Sequence, residues 1–325
     1  MNALESVPVT GTPCRICSNT TGNGLHHAKE MMLGSHEPFS YLECARCGCV
    51  QIAEIPADIA RHYPAAYPPH QRSPRGARGL EGVARRLRSG LLYGTAGRRS
   101  ALPLPGAAYH HWLRHAAVGV ESAILDVGCG AGNLLHKLRA DGFRNLHGVD
   151  PYLPAEIQEP GLRMVRRQVS EMDGAYDLVM LHHSLEHSPD QLQTLREAAR
   201  LVRPTGAVLV RIPVADSWAW RHYGVDWVQL DAPRHLYLHT RRSLAVVAEA
   251  AGLRISRVIH DSEPLQFWGS ELYRRGIPLL EPATMKPPRV SLHFTPAQVR
   301  EYKERSRALN AAGEGDQACF FLHRA

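Results

Sequence analysis

Two pairs of cysteines at matched spacing are the first residues of the chain able to act together: Cys14-Arg15-Ile16-Cys17 and Cys44-Ala45-Arg46-Cys47. A C-x-x-C turn offers two thiolates to one cation, and two such turns complete a tetrahedral set, so the spacing predicts a zinc site. Iron held by the same four thiolates is the chemical rival. A closed set leaves no position for a reactant, so the metal is expected to be structural, holding together a segment with little else to stabilise it. The 26 residues between the pairs leave room for a short hairpin that includes Phe39 to Leu42. Gly48 follows the second pair, where a left-handed residue is often required. Cys49, Cys129 and Cys319 are expected to be ordinary buried thiols.

A second group lies between residues 122 and 152. The apolar run Ala123–Val127 has the length of a buried parallel strand and breaks at Gly128-Cys129-Gly130-Ala131-Gly132. Glycines there permit a tight turn and let backbone N–H groups approach a ligand closely. A helix is predicted over 133–140 and a second strand over 146–149. Asp150 ends that strand about twenty residues beyond the turn, where a carboxylate can accept both hydroxyls of a ribose. The order G-x-G-x-G, preceded by Asp126, departs from the dinucleotide pattern G-x-G-x-x-G. An acid at that point suits a cationic amine and would repel a pyrophosphate. A ligand with an adenosine and an amino-acid ammonium is S-adenosylmethionine (SAM). Through Leu125–Gly132 and Gly148-Val149-Asp150 the chain resembles the class I SAM-dependent methyltransferases.

The resemblance extends to bacterial methyltransferases that carry an N-terminal zinc-binding segment. It is carried by the cysteine pairs, Tyr176-Asp177-Leu178-Val179, Leu185-Glu186-His187, Leu201–Gly206 and Trp227–Leu236, and covers most of residues 13–260. Such enzymes act on sugars, polyketide-like metabolites or cell-envelope precursors, so the resemblance implies the chemistry more firmly than the substrate. It also places Ser170 and Glu171 near the adenine. Asp126, Gly128, Cys129, Gly130, Gly132, Asp150 and His182 complete the expected cofactor side.

Methyl transfer from a sulfonium needs alignment in a dehydrated pocket, and, for a hydroxyl or activated-carbon acceptor, a base. Histidine suits that task near neutrality. Of 19 histidines, three stand where a base is needed: His183 and His187 after the fourth strand, and His235 in a Pro-Arg-His-Leu block resembling a lid. Glu186-His187 also invites a metal reading, because some quinone-pathway methyltransferases have a similar pair. Trp218, Trp220, Tyr223 and Trp227 are candidates for a stacking wall, with core packing as the alternative.

The elements that must position these groups read as a doubly wound α/β fold with a mostly parallel seven-stranded sheet, preceded by a small zinc-ribbon-like module. Further strands are predicted at 162–166, 176–181, 206–212 and 253–259, and a last antiparallel strand at 318–322. Ser188 and Pro189 fit the cap and first position of a helix to Leu201, and Thr240 caps another through Ala250. The chain divides into a module over 1–55, a Pro/Arg-rich connector over 56–106 and a methyltransferase domain over 107–325 with an insertion at about 261–315.

The formal charge of +7 is local, because residues 71–99 hold eight arginines and one acid, matching the excess of the whole chain. The basic pI therefore describes one segment and not a nucleic-acid-binding face. An amphipathic helix over 80–92 could make weak contact with a membrane surface. With no signal-peptide core and no bilayer-length apolar run, a cytoplasmic location is expected. The composite expectation is SAM-dependent methylation of an oxygen or carbon of a small-molecule acceptor. An RNA base methyltransferase and a non-catalytic binding protein on the same fold are the alternatives.

Overall fold

The computed structural model describes residues 6–64, 87, 109–281 and 284–325. Apart from Leu87, the helix expected over 80–92 lies outside the described residues, as does most of the connector.

The N-terminal strands β1 (Val7–Val9), β2 (Asn23–Lys29), β3 (Pro38–Glu43) and β4 (Val50–Ile52) pair antiparallel in chain order. The hairpin expected between the cysteine pairs is β2–β3. Strands β5 (Ile124–Val127), β6 (Leu146–Val149), β7 (Ile157–Glu159), β8 (Leu162–Val165), β9 (Tyr176–His182) and β10 (Val202–Pro213) follow. The remaining strands are β11 (Tyr237–Leu238), β12 (Leu253–His260) and β13 (Gln317–Arg324). The large sheet has the order β12-β13-β10-β9-β5-β6-β8-β7. It has eight strands, not seven: β7 adds an antiparallel edge beside β8, and β13 enters antiparallel between β10 and β12 as expected.

Both faces of this sheet are covered, and the period of two in the strands shows why. Leu125, Val127, Val179 and Leu181 face one core with Leu195, Ala198, Leu201 and Leu244 of two helices. Ile124, Leu178, Met180 and Leu209 face the other with Leu135, Leu138 and Trp112. Burial of each large apolar side chain contributes roughly 1.5–3 kcal/mol, so a strand apolar on both sides belongs in the middle of such a stack.

Helix ends mostly follow the sequence. Thr240 caps Arg241–Ala250, its hydroxyl accepting from Ser243 N at 3.0 Å. The cap expected at Ser188 is instead Asp190, whose Oδ1 accepts from Gln193 N at 2.9 Å and opens Gln191–Leu201. Ser188 Oγ is engaged with Thr194 Oγ1 at 2.6 Å. Strand β10 begins at Val202, four residues before the expected Gly206, across a register shift between Val202 and Ala207.

The small sheet does not close on itself. β11 pairs antiparallel with β4, Tyr237 opposite Gln51, so a strand from the far side of the chain completes it. A third core joins Tyr41, Leu42 and Val50 to Trp220, Trp227, Leu236 and Phe267. Trp220 and Trp227 are fully buried there, their indole N–H groups reaching Glu43 and Asp316, so neither stands in an open stacking wall. Among the described residues no helix is long and apolar enough to cross a membrane.

Candidate active site

The four thiols converge. Cys14 Sγ lies 3.7 Å from Cys47 Sγ and Cys17 Sγ 3.5 Å from Cys44 Sγ, and all four atoms fall within 4.8 Å of one another. With zinc–sulfur bonds of about 2.3 Å, a tetrahedron has sulfur–sulfur edges of about 3.8 Å, so the set fits a zinc ion. All four cysteines are free of disulfides. Ile16 N donates to Cys14 Sγ at 3.4 Å and Cys47 N to Cys44 Sγ at 3.5 Å, the kind of backbone support thiolates require. Gly48 has φ +72, and a Cβ there would come within 2.8 Å of the Thr240 methyl.

The cofactor candidates meet at the carboxyl ends of β5, β6 and β9. Asp126 is buried, and its Oδ1 has no hydrogen-bond partner. Burial, with the nearby Asp150 charge second, pushes its carboxyl up to about 8. A buried acid without a partner at the mouth of the sheet fits a cationic group that the ligand supplies. Asp150 is already engaged: Oδ2 accepts from Gly130 N and Oδ1 from Tyr152 N, both at 2.8 Å. Each oxygen keeps a further lone pair for a ribose hydroxyl, while the carboxylate pins the glycine turn.

The turn itself is left-handed at Gly128, Gly130 and Gly132. A Cβ on Gly128 would lie 2.5 Å from the Ser184 Cβ. Ser184 Oγ in turn donates to Val127 O at 2.7 Å, so the loop after β9 is fastened directly to the cofactor turn. Cys129 is half-buried beside it, burial raising its thiol. Ser170 and Glu171 are exposed, and Glu171 Oε2 is spent on Gln168 N at 2.7 Å as half of a capping box. His182 packs 5.5 Å from the Trp112 ring with a buried, unpaired Nδ1, and burial lowers its basicity.

Hydrogen bonding sorts the three base candidates by tautomer. His183 Nε2 faces Arg211 Nη1 at 2.6 Å, and a guanidinium can only donate, so that nitrogen's lone pair is occupied. Its Nδ1–H then donates to Glu186 Oε1 at 3.2 Å. His187 Nδ1 lies 2.8 Å from Arg234 O, and His235 Nδ1 lies 2.7 Å from Gln229 O. Carbonyls only accept, so both Nδ1 atoms carry a proton, and in the neutral form of each ring the acceptor nitrogen is Nε2. The two rings stand 4.8 Å apart. His187 is held below its ordinary basicity by burial, then by His235.

Glu186 is fully buried between them, with Oε2 unpaired, and the hydrogen bond from His183 helps hold it at about 2 against the effect of burial. Donor atoms of Glu186, His187 and His235 lie within 4.8 Å of one another, a set that could also hold a divalent cation. Arg234 and Asp231 form a fully buried pair beside His235, an arrangement that sequence reasoning missed. Asp231 and Arg234 lie three residues apart, but the second acid on Arg234, Glu30, stands far away in the chain, and only the conjunction of Asp231 and Arg234 with a short apolar block marks the arrangement.

Residues 102–258 match the methyltransferase domain family. A ubiquinone biosynthesis O-methyltransferase of Bordetella avium (strain 197N) is 30% identical over 168 residues, which is 45% of this chain and 68% of that protein. The chain belongs to the SAM-dependent methyltransferases. A second ubiquinone biosynthesis O-methyltransferase, from Pseudomonas aeruginosa (strain UCBPP-PA14), is 32% identical over 31% of this chain and 48% of its own length. This methyltransferase chain thus spans about half the length of the first curated relatives it matches. Among solved structures, mitomycin 7-O-methyltransferase aligns with TM-score 0.38 and 16% identity over 63% of this chain and 49% of that one.

Proposed function

We propose that this chain transfers a methyl group from SAM to an oxygen, or an activated carbon, of a small-molecule acceptor, with a structural zinc ion in its N-terminal module. The observation that carries the reading is Asp126: a buried acid whose Oδ1 has no partner, near Asp150, in the strand that Ser184 fastens to the histidine loop.

When bound, SAM supplies a methyl group already activated on a sulfonium. The chain's own task is to bind, align and remove a proton. Asp126 receives the ammonium and Asp150 the ribose hydroxyls, while the glycine turn lets the backbone close on the ligand. His235 Nε2 accepts the acceptor's proton, with His187 Nε2 the neighbouring alternative. The imidazolium formed at His235 is stabilised by Asp231 Oδ2 at 3.7 Å. His183, tied to Arg211 and Glu186, orients that acid rather than accepting a proton.

The experiment is methyl transfer from methyl-labelled SAM to a panel of hydroxylated small molecules, with transfer RNA as the competing substrate. Label on a small molecule supports the reading. Label confined to RNA, or none with SAM bound, would replace it by one of the two alternatives. A second reading, a divalent cation at Glu186, His187 and His235, is favoured by the closeness of their donor atoms. It predicts that transfer is abolished by a chelator too weak to remove the thiolate-bound zinc and restored by added magnesium or manganese.

A further inference from the structure

The loop carrying His235 is held from both sides, and its outer side belongs to the zinc-bearing module. Arg234 has no exposed surface. Its Nη2 donates to Asp231 Oδ1 at 2.7 Å and to Glu30 Oε1 at 2.8 Å, and its Nε donates to both Asp231 oxygens at 3.1 Å. Glu30 is itself fixed before it meets the arginine. Leu33 N donates to its Oε1 at 2.8 Å, and Ser35 N and Oγ donate to its Oε2 at 3.0 and 3.1 Å. A carboxylate immobilised by three donors in the turn after β2 therefore sets the position of a guanidinium adjacent to His235 in sequence.

The backbone follows the same arrangement. The Tyr41 hydroxyl, in β3, donates to His235 O at 2.9 Å, and Ile52 N donates to Leu236 O at 3.0 Å. On the inner side Leu236 N donates to Glu186 O at 2.8 Å, so residues 235 and 236 are clamped between the module and the loop after β9.

Charge points the same way as geometry. One guanidinium shared by two buried carboxylates leaves the triad with a formal charge of −1, and the Asp231 oxygen nearest His235 is part of it. The triad therefore ties Asp231, and with it the start of the loop that carries His235, to the module. The second acid of the triad, Glu30, is supplied by the module.

We propose that the zinc-bearing module is part of the transfer site: Glu30 and Tyr41 are positioning residues that hold the Pro-Arg-His-Leu loop, and with it His235, for proton removal. This rests on the proposed methyl transfer. The module thus places a buried acid, fixed by three hydrogen bonds of its own turn, against the arginine beside the base. A displacement of one ångström at a positioned group can cost about a hundredfold in rate, so the clamp is of catalytic consequence.

The test uses the zinc-loaded full chain and S-adenosylhomocysteine as probe. Proton–nitrogen spectra with labelled histidine give the His235 Nδ1–H signal, assigned by its loss in His235→Asn, and its exchange with water is timed. Glu30→Gln should keep the zinc and the S-adenosylhomocysteine affinity while accelerating that exchange by about tenfold or more through local opening of the loop. Tyr41→Phe, which removes one hydroxyl and keeps the ring, should do the same and serves if Glu30→Gln fails to fold. Glu43→Gln alters a module acid that bonds His26 and Trp220 and should leave His235 exchange unchanged. Equal acceleration in Glu43→Gln, or wild-type exchange in folded Glu30→Gln and Tyr41→Phe, would overturn the positioning role. Failure of wild-type protein to bind S-adenosylhomocysteine at all would remove the methyl-transfer reading and this role with it.

Discussion

Asp126 makes cofactor binding depend on pH in a direction that ordinary carboxylates do not show. In the free protein its carboxyl stands at about 8, raised from 3.8 by burial and then by Asp150. Near neutrality it is therefore largely protonated and uncharged. Pairing with the SAM ammonium requires the carboxylate, so binding must expel the proton. Affinity should then climb with pH up to about 8, changing about tenfold, or ~1.4 kcal/mol, between pH 6 and pH 7. Above that range the ligand's own amine, near 8 in the unbound state, begins to lose its charge, and the gain stops. Calorimetry at pH 7 in buffers of different ionisation enthalpy should find close to one proton released per SAM bound. Asp126→Asn should release none and show a flat profile over the same range. The sign for folding is opposite. Because the folded group is raised above its unfolded value, its contribution to stability falls as pH rises from 3.8 towards 8, and Asp126→Asn should remove that slope. Wild-type protein that binds SAM equally well at pH 6 and pH 8 without releasing a proton would refute the placement of the ammonium at Asp126.

Three further outcomes are expected. Elemental analysis should find one zinc per chain, and Cys14→Ser or Cys44→Ser should lose the metal and fold poorly, because such a site contributes folding free energy directly; active, metal-free protein would contradict this. Asp150→Ala should weaken S-adenosylhomocysteine binding, measured by calorimetry, by on the order of 1.5–3 kcal/mol, since it removes charged acceptors for the ribose and frees the Gly130 and Tyr152 N–H groups. On the acceptor found in the methylation panel, His235→Ala should lower the rate by roughly 10²–10⁴-fold with SAM affinity nearly intact. A comparable loss in His187→Ala alone would move the base to that ring.

The parts of the fold legible in the sequence are those with local signals. Strands β5, β6 and β9 send apolar side chains into both cores, the glycines stand where left-handed backbone is needed, and Thr240 caps its helix as its type requires. β7 and β11, of three and two residues, are too short to show a period, and β11 exists as a strand only because β4 lies beside it. Ser188 and Asp190 are both good cap residues two positions apart, so the choice depended on where Ser188 Oγ found a partner.

The site shows the same division. Cysteine spacing, Asp126 and Asp150 are readable because the ligands proposed for them dictate residue type. The ordering of His183, His187 and His235 is not, because it turns on Arg211, Arg234 O and Gln229 O, contacts made only after the chain has closed. Glu30 meets Arg234 across 204 residues, a distance at which no sequence pattern reports.

The central claim is that SAM sits between Asp126 and Asp150 with its methyl directed at the His187–His235 pair. A crystal structure of the zinc-loaded chain with S-adenosylhomocysteine tests it most directly. The account predicts the ammonium on Asp126, both ribose hydroxyls on Asp150, and the sulfur opening onto a space bounded by the Nε2 atoms of His187 and His235. A ligand bound elsewhere, or one whose sulfur faces away from both imidazoles, would contradict it.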